Sequence, residues 1–479
     1  MSELPAGWSE TTLCEITELG PKSQWPDDTE IGFVPMSHAP TSFRGVLKYD
    51  ARPWHEVKKS YTHFEDGDVI FAKVTPCFEN GKAALVSGLP NGAGAGSSEF
   101  HVLRPRSPEI SAGYLLTLIK GSEFLRAGEK SMTGAVGLRR VPRAFVEQFP
   151  IPLPPAAEQK RIAQKLDALL AQVDTLKVRI DAIPALIRRL RQSVLNAAVT
   201  GRLATTSEIE LTSERAFEPN GKVKPISSDE IAHALEITGE QFPSQWPIYA
   251  LEQLIEPDRG IPYGIVQTGE HVHGGVPTVR CGDIKQLSLD TTSLKKVAPS
   301  IEANYLRTRL KGGEVLLAIR GSVGNTSVAP SSIAGCNISR EIAMIPCLAE
   351  VDSQFVAITL QSPRGQQLLA GKTRGVAQKG INLADVRRLP LALPPLTTQR
   401  QIVRRVEQAF ALADQLETRV AAAHRRIHDL TQSLLAKAFR GELVPQDPND
   451  EPASVLLERI RAQRAATPKP KRGRKAATS

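Results

Sequence analysis

Basic side chains gather beside glycine-rich turns at four places in this sequence, forming two corresponding pairs. The apolar runs DVIFAK (68–73) and EVLLAIR (314–320) each follow a glycine turn and read as short strands. They lead into the loops TPCFENGK (75–82) and GSVGNTS (321–327), which puts Lys73 and Arg320 at the strand ends and Lys82 and Asn325 in the loops. The second pair, SMTGAVGLRR (131–140) and KTRGVAQKG (372–380), supplies Arg139, Arg140, Arg374, Gln378 and Lys379. Cationic and amide side chains on exposed turns suit contacts to phosphates and base edges, arginine favouring guanine and glutamine favouring adenine. These nine residues are the candidate binding set.

Catalytic patterns are absent from the sequence. The stretch NGAGAGSS (91–98) has dinucleotide-loop glycines but runs into the strand-like EFHVLRP instead of opening a helix. GSVGNTS lacks phosphate-loop spacing, and neither H-E-x-x-H nor G-x-S-x-G occurs. The nine histidines are scattered, and HVHGG (271–275) reads as a surface turn. Five cysteines with no C-x-x-C pair argue against a disulfide framework or a zinc site. Neither a cofactor nor a metal is expected on this chain.

The elements that must position the loops are written twice. Residues 150–203 laid on 390–443 without a gap give 19 identities in 54 positions, where unrelated sequence gives roughly 3. Pro5, Trp8 and Leu13 recur as Pro243, Trp246 and Leu251, so each half opens on P-x-x-W and closes on L-P-P and a helical stretch. Steps of four and three from Ile162 reach Leu166, Leu169, Val173, Leu176, Ile180, Ile183, Ile187, Leu190 and Val194, an a/d heptad seam. The second copy runs from Ile402 through Val406, Ala413, Val420 and Ile427 to Leu434. Proline 154–155 blocks the helix upstream, Gly201 and Gly441 suit the left-handed residue that ends it, and Pro184 predicts a kink.

The expected fold class is α+β: two globular mixed α/β units separated by two long antiparallel coiled-coil helices, with an internal pseudo-twofold repeat. The expected boundaries are 1–150, 151–203 (first spacer helix), 204–241 (linker), 242–394, 395–444 (second spacer helix) and 445–479 (basic tail). Overall the 479 residues are 41% hydrophobic and 23% charged, with a formal charge of +9. Residues 1–150 are nonetheless slightly acidic, with 16 basic and 18 acidic side chains. The tail KPKRGRK (469–475) reads as a disordered basic arm. The opening MSELPAGWSE lacks signal-peptide character and no apolar run approaches a membrane span, so a cytoplasmic protein without a membrane partner is expected.

Taken together, LPAGW, IPLPPAAEQKRIAQKLDALLAQVD, IVRRVEQAFALAD, LTQSLLAKAFRGELV and PASVLLERIRAQRAA resemble the specificity subunits of type I restriction-modification systems, in order and over almost the whole chain. The second copy departs in carrying Thr398-Gln399 where the first has Glu158-Gln159. The resemblance implies two target-recognition domains, each reading half of a split, asymmetric sequence in double-stranded DNA. It implies as partners two modification subunits, which methylate adenine N6 with S-adenosylmethionine, and restriction subunits, which translocate and cleave DNA with ATP and Mg. It implies a non-catalytic chain whose helices serve as ruler and dock. The rival expectation is a coiled-coil scaffold without sequence-specific DNA binding.

Overall fold

A proline pair upstream and a glycine forty-odd residues later bound each of the longest elements of the molecule. In the computed structural model, which describes residues 4–135, 137–203, 219, 223–373 and 380–466, the first long helix is Ala156–Val199 and the second Leu396–Phe439, 44 residues each. Pro184 lies inside the first without ending it. Gly201 and Gly441 follow their ends at φ +78° and +70°, the left-handed conformation that glycine adopts without a Cβ penalty. The chain forms two compact units, one comprising 1–181 with 421–479 and the other 182–420, so each helix contributes one part to each unit.

Within the first unit, Leu166 and Leu170 of the first helix meet Leu435 of the second, and Asp181 lies 3.5 Å from His424, so the two segments run antiparallel. Within the second unit, Leu195 and Ala198 share a core with Ile402, Val403 and Val406, while Arg191 reaches Asp414, again antiparallel. The buried positions follow the expected seam only in part. Ile162, Leu166, Val173 and Ile187 are buried, but Leu176 and Leu190 are 49% and 40% exposed, and Leu170, Leu195 and Ala198 are buried instead. A straight helix drifts ~20° per heptad from a 3.5-residue repeat, and Ile162, Ile180 and Ala198 lie whole turns apart at 3.6 residues per turn.

Both units share a three-strand core in each of two sheets, to which the first unit adds an edge strand, although sequence identity marks only the helices. In the first, Val69–Ala72 lies between Ala83–Leu85 and Phe100–Pro105, all antiparallel, with Thr17–Leu19 on the outer edge. In the second, Val315–Ala318 lies between Thr326–Val328 and Ile342–Ile345 in the same sense. Each unit adds a sheet whose middle strand has one antiparallel and one parallel neighbour. Glu30–Val34 is flanked by Asp50–Pro53 and Ala93–Gly96, and Val276–Val279 by Lys295–Val297 and Asn337–Ile338. Fully buried central strands read as continuous apolar runs, which is how VIFA and VLLA appear in the sequence.

The ends of each unit are tied by the repeated motif itself. Ser9–Thr12 pairs with Pro150–Leu153, and Ile248–Ala250 with Pro390–Ala392. Just beyond, Gln159 accepts a hydrogen bond from the Ser111 backbone N–H (2.9 Å) and donates to the Pro154 carbonyl (3.0 Å). Gln399 repeats both bonds with Asp352 and Pro394, each at 2.8 Å. Ser111 and Asp352 are the N-caps of Ala112–Ile119 and Ser353–Gln361, so each glutamine joins the L-P-P bend to the start of a core helix. In the first copy Trp8 Nε1 also donates to Glu158 (3.0 Å), whose pKa burial raises. Among the described residues no helix is long and apolar enough to cross a membrane.

Candidate nucleic-acid interface

In each unit the segment after the central strand is stitched to the segment before the long helix. In the first unit Val74 bridges Arg140, and the Thr75 N–H donates to the Arg139 carbonyl at 3.0 Å. In the second unit Arg320 bridges Gly380, the residue that the repeat aligns with Arg140. The stretch SMTGAVGLRR forms an exposed hairpin, Thr133–Ala135 against Leu138–Arg140, with Leu138 52% exposed. Arg374, Gln378 and Lys379 lie outside the described residues.

The structure thus groups Lys73, Arg139 and Arg140, and it supplies carboxylates that sequence reasoning missed. Arg140 grips Glu99, with Nη2 2.7 Å from Oε1 and Nε 2.9 Å from Oε2. That guanidinium holds the Glu99 carboxyl below its usual range. Arg139 lies 3.9 Å from Glu79. Both arginine side chains remain over 40% exposed. Surface pairs of this kind are worth ~0–1 kcal/mol, so either arginine can exchange its carboxylate for a phosphate. Nothing local in SSEF signals that Glu99 meets Arg140, because the contact arises from the pairing of distant segments.

Other members of the candidate set serve their own loops. Lys82 donates to the Met36 carbonyl at 2.8 Å and is half-buried. Asn325 donates to the Ile284 carbonyl at 3.0 Å, and its own carbonyl accepts the Ala318 N–H. Arg320 is exposed, and its guanidinium has no ion pair among the described residues. The glycines of NGAGAGSS are a packing device: a Cβ on Gly94 would stand 2.3 Å from the Phe64 ring, and one on Gly96 2.5 Å from the Val34 carbonyl. No cluster of three or more metal-ligating side chains occurs among the described residues.

Beneath the first interface, Lys120 sits 5% exposed with its ammonium directed at the carbonyls of Thr41 (3.0 Å), Ser42 (3.0 Å), Gly81 (2.9 Å) and Pro40 (3.4 Å). Burial pushes its pKa down to about 7, against four carbonyl dipoles that favour the cation. It ties the loop ending at Lys82 to the Pro40–Ser42 segment. Next to that segment Phe43 packs on Leu166 and Leu435, and Arg44 pairs with Asp167 at 2.7 Å. The turn that carries candidate contacts is therefore anchored to the long helix. A cleft of about 830 Å³ is lined by Lys73 together with residues of the Gly20–Asp27 segment and the Lys58–His63 loop.

A duplicated strand core joined by two long helices, with turns that differ between the copies, is also the architecture of known proteins. The chain matches the family model for the type I restriction modification DNA specificity domain twice, over residues 5–185 and 264–423, and it belongs to that family. It is 37% identical over 352 residues to the type I restriction enzyme EcoBI specificity subunit of Escherichia coli, covering 72% of this chain and 70% of that one. It is 30% identical over 499 residues to the StySPI specificity subunit of Salmonella potsdam, covering 99% of both. In fold it is similar to the crystal structure of the HsdS subunit from Thermoanaerobacter tengcongensis, with a TM-score of 0.57 at 22% identity over 92% of this chain and 98% of that one.

Proposed function

We propose that this chain is the DNA sequence-recognition subunit of a type I restriction-modification complex, each unit reading one half of an asymmetric, two-part target. The observation that carries this reading is the pairing of a three-strand core common to the sheets of both units with interface turns that differ between copies: TPCFENGK and an exposed arginine hairpin in one, GSVGNTS and KTRGVAQKG in the other. A common frame with different rims fits two different half-sites. Side chains on such turns read base edges while neighbouring cations fix the register on phosphates.

The chain directs rather than performs chemistry in this reading. Two modification subunits bind the long helices and methylate adenine N6 with S-adenosylmethionine, taking the base out of the stack. Restriction subunits add ATP- and Mg-dependent translocation and cleavage. Leu176, Leu186, Leu190, Leu412 and Leu430 are exposed leucines on the two helices, available to partner helices. Co-expression with the cognate modification subunit in a host without other adenine methylation, followed by genome-wide mapping of N6-methyladenine, tests the proposal. A bipartite, non-palindromic motif with a fixed gap is expected. With both proteins soluble and the methyltransferase competent, an absence of such a motif would overturn it.

A further inference from the structure

The globular segment 1–150 poses an electrostatic problem for a DNA reader, since it carries more acids than bases. The cleft beside Lys73 resolves it locally. Its wall contains five basic side chains, Lys22, Lys58, Lys59, Lys73 and Arg143, against one acid, Asp27. Asp27 is already engaged, accepting from Lys58 Nζ at 2.8 and 2.9 Å, and Arg143 is paired with Glu147 at 2.7 Å. Lys22, Lys59 and Lys73 have no ion pair among the described residues. Burial, with smaller contributions from Lys73 and Arg143 beside His101 and from Lys22 beside His63, keeps both rings below their usual range, His101 at about 4. The histidines are therefore neutral at pH 7, and the lysines carry the field.

We propose that this cleft is the track along which the first unit holds the DNA phosphate backbone, with Lys22 and Lys59 each neutralising a phosphate next to the one met by Lys73. The proposal rests on the DNA-recognition reading above and adds to it a surface outside the hairpin and its loop. Lys59 and Lys22 line the cleft from two different segments, the turn that carries Ser60 at φ +69° and the Gly20–Asp27 segment, which the Lys58–Asp27 pair ties together, so each can meet a separate phosphate of one strand. Half-buried Trp25 and exposed Tyr61 add apolar edges from those two segments, suited to sugar contacts. Because the track contacts phosphates, it contributes affinity that is the same for every sequence, leaving discrimination to the hairpin and loop.

The test is the salt dependence of duplex binding by the full chain, comparing Lys22→Ala/Lys59→Ala with wild type on random and target-containing DNA. Each neutralised phosphate contributes ~0.9 to the slope of log K against log salt, so the double variant should lose ~1.8 from that slope. Affinity should fall by the same factor on every duplex. Lys165→Ala/Lys177→Ala, which removes two exposed lysines from the first long helix, should keep the wild-type slope. A slope change below ~0.5 in the Lys22/Lys59 variant, or a loss confined to particular sequences, would overturn the track while leaving the recognition reading intact. A wild-type slope near zero would sink both.

Discussion

The guanidinium of Arg140 lies against the carboxylate of Glu99, joined by contacts of 2.7 and 2.9 Å, at the base of the hairpin that the first unit presents. Phosphate and Glu99 compete for the same donors. Glu99→Gln therefore frees Arg140 and removes an acid from the interface. The expected outcome is duplex binding tighter by about two- to fivefold, the equivalent of a surface pair, with Arg140→Ala weakening it instead. Titration of the full chain with labelled duplex at two salt concentrations reads both.

Lys120→Met keeps the aliphatic stem and leaves four carbonyls without their common donor. It should destabilise the first unit by about 2–4 kcal/mol. The sign of the pH dependence separates this from simple repacking. The unfolded chain holds the Lys120 proton up to about pH 10, whereas the folded chain releases it from about 7. The unfolded state thus binds more protons between these values, and this group makes wild type more stable as pH rises through the window. Denaturant unfolding at pH 6.5 and 9 should show that gain in wild type and not in the Met variant.

Exposure along the long helices separates packing from docking. Leu166→Ala, at a fully buried contact, should cost about 2–5 kcal/mol of stability. Leu176→Glu/Leu190→Glu, at exposed positions, should change stability by no more than about 0.5 kcal/mol per site. The glutamates should nonetheless reduce co-purification of the modification subunit, with duplex binding by the chain alone unchanged. Retention of full co-purification would place the dock elsewhere.

In the second unit, Glu230 closes the capping box of Ser228–Thr238 and accepts from Arg388 at 2.6 and 2.8 Å. The Arg388 bonds, with those from Ser227, lower its pKa to about 2. A carboxylate depressed in the folded state stabilises fully above its unfolded value of about 4.3 and loses that contribution as pH falls through 2. Glu230→Ala should accordingly weaken protection of this helix in hydrogen exchange at pH 7 and narrow the difference from wild type towards pH 2.

What the sequence made legible follows from what repeats in it. The long helices, their proline starts and their glycine ends were readable because breakers and caps act locally, as at Pro155 and Gly441. The strand-end positions of Lys73 and Arg320 were readable from short apolar runs after glycine turns. The face of each helix that is buried was less legible, since a heptad count from Ile162 accumulates an angular error that leaves Leu190 facing solvent. The duplicated sheets were invisible as sequence identity, because many side chains fill a buried strand equally well. Lys22 and Lys59 escaped notice because the cleft they line is made by segments far apart in the chain.

Gln159 and Gln399 make the same two hydrogen bonds at the two junctions, so the molecule offers one fitting in two copies. Each segment between a P-x-x-W turn and the next L-P-P bend is tied at its ends by that fitting and by a short strand pair, and in the first unit Phe43 and Arg44 add contacts to the long helix. A reading head that preserves those terminal contacts can be exchanged as a cassette, at either position, without redesign of the frame. New target sequences are then reachable by recombination at the junctions, in a single step that point changes within a head would need many to match.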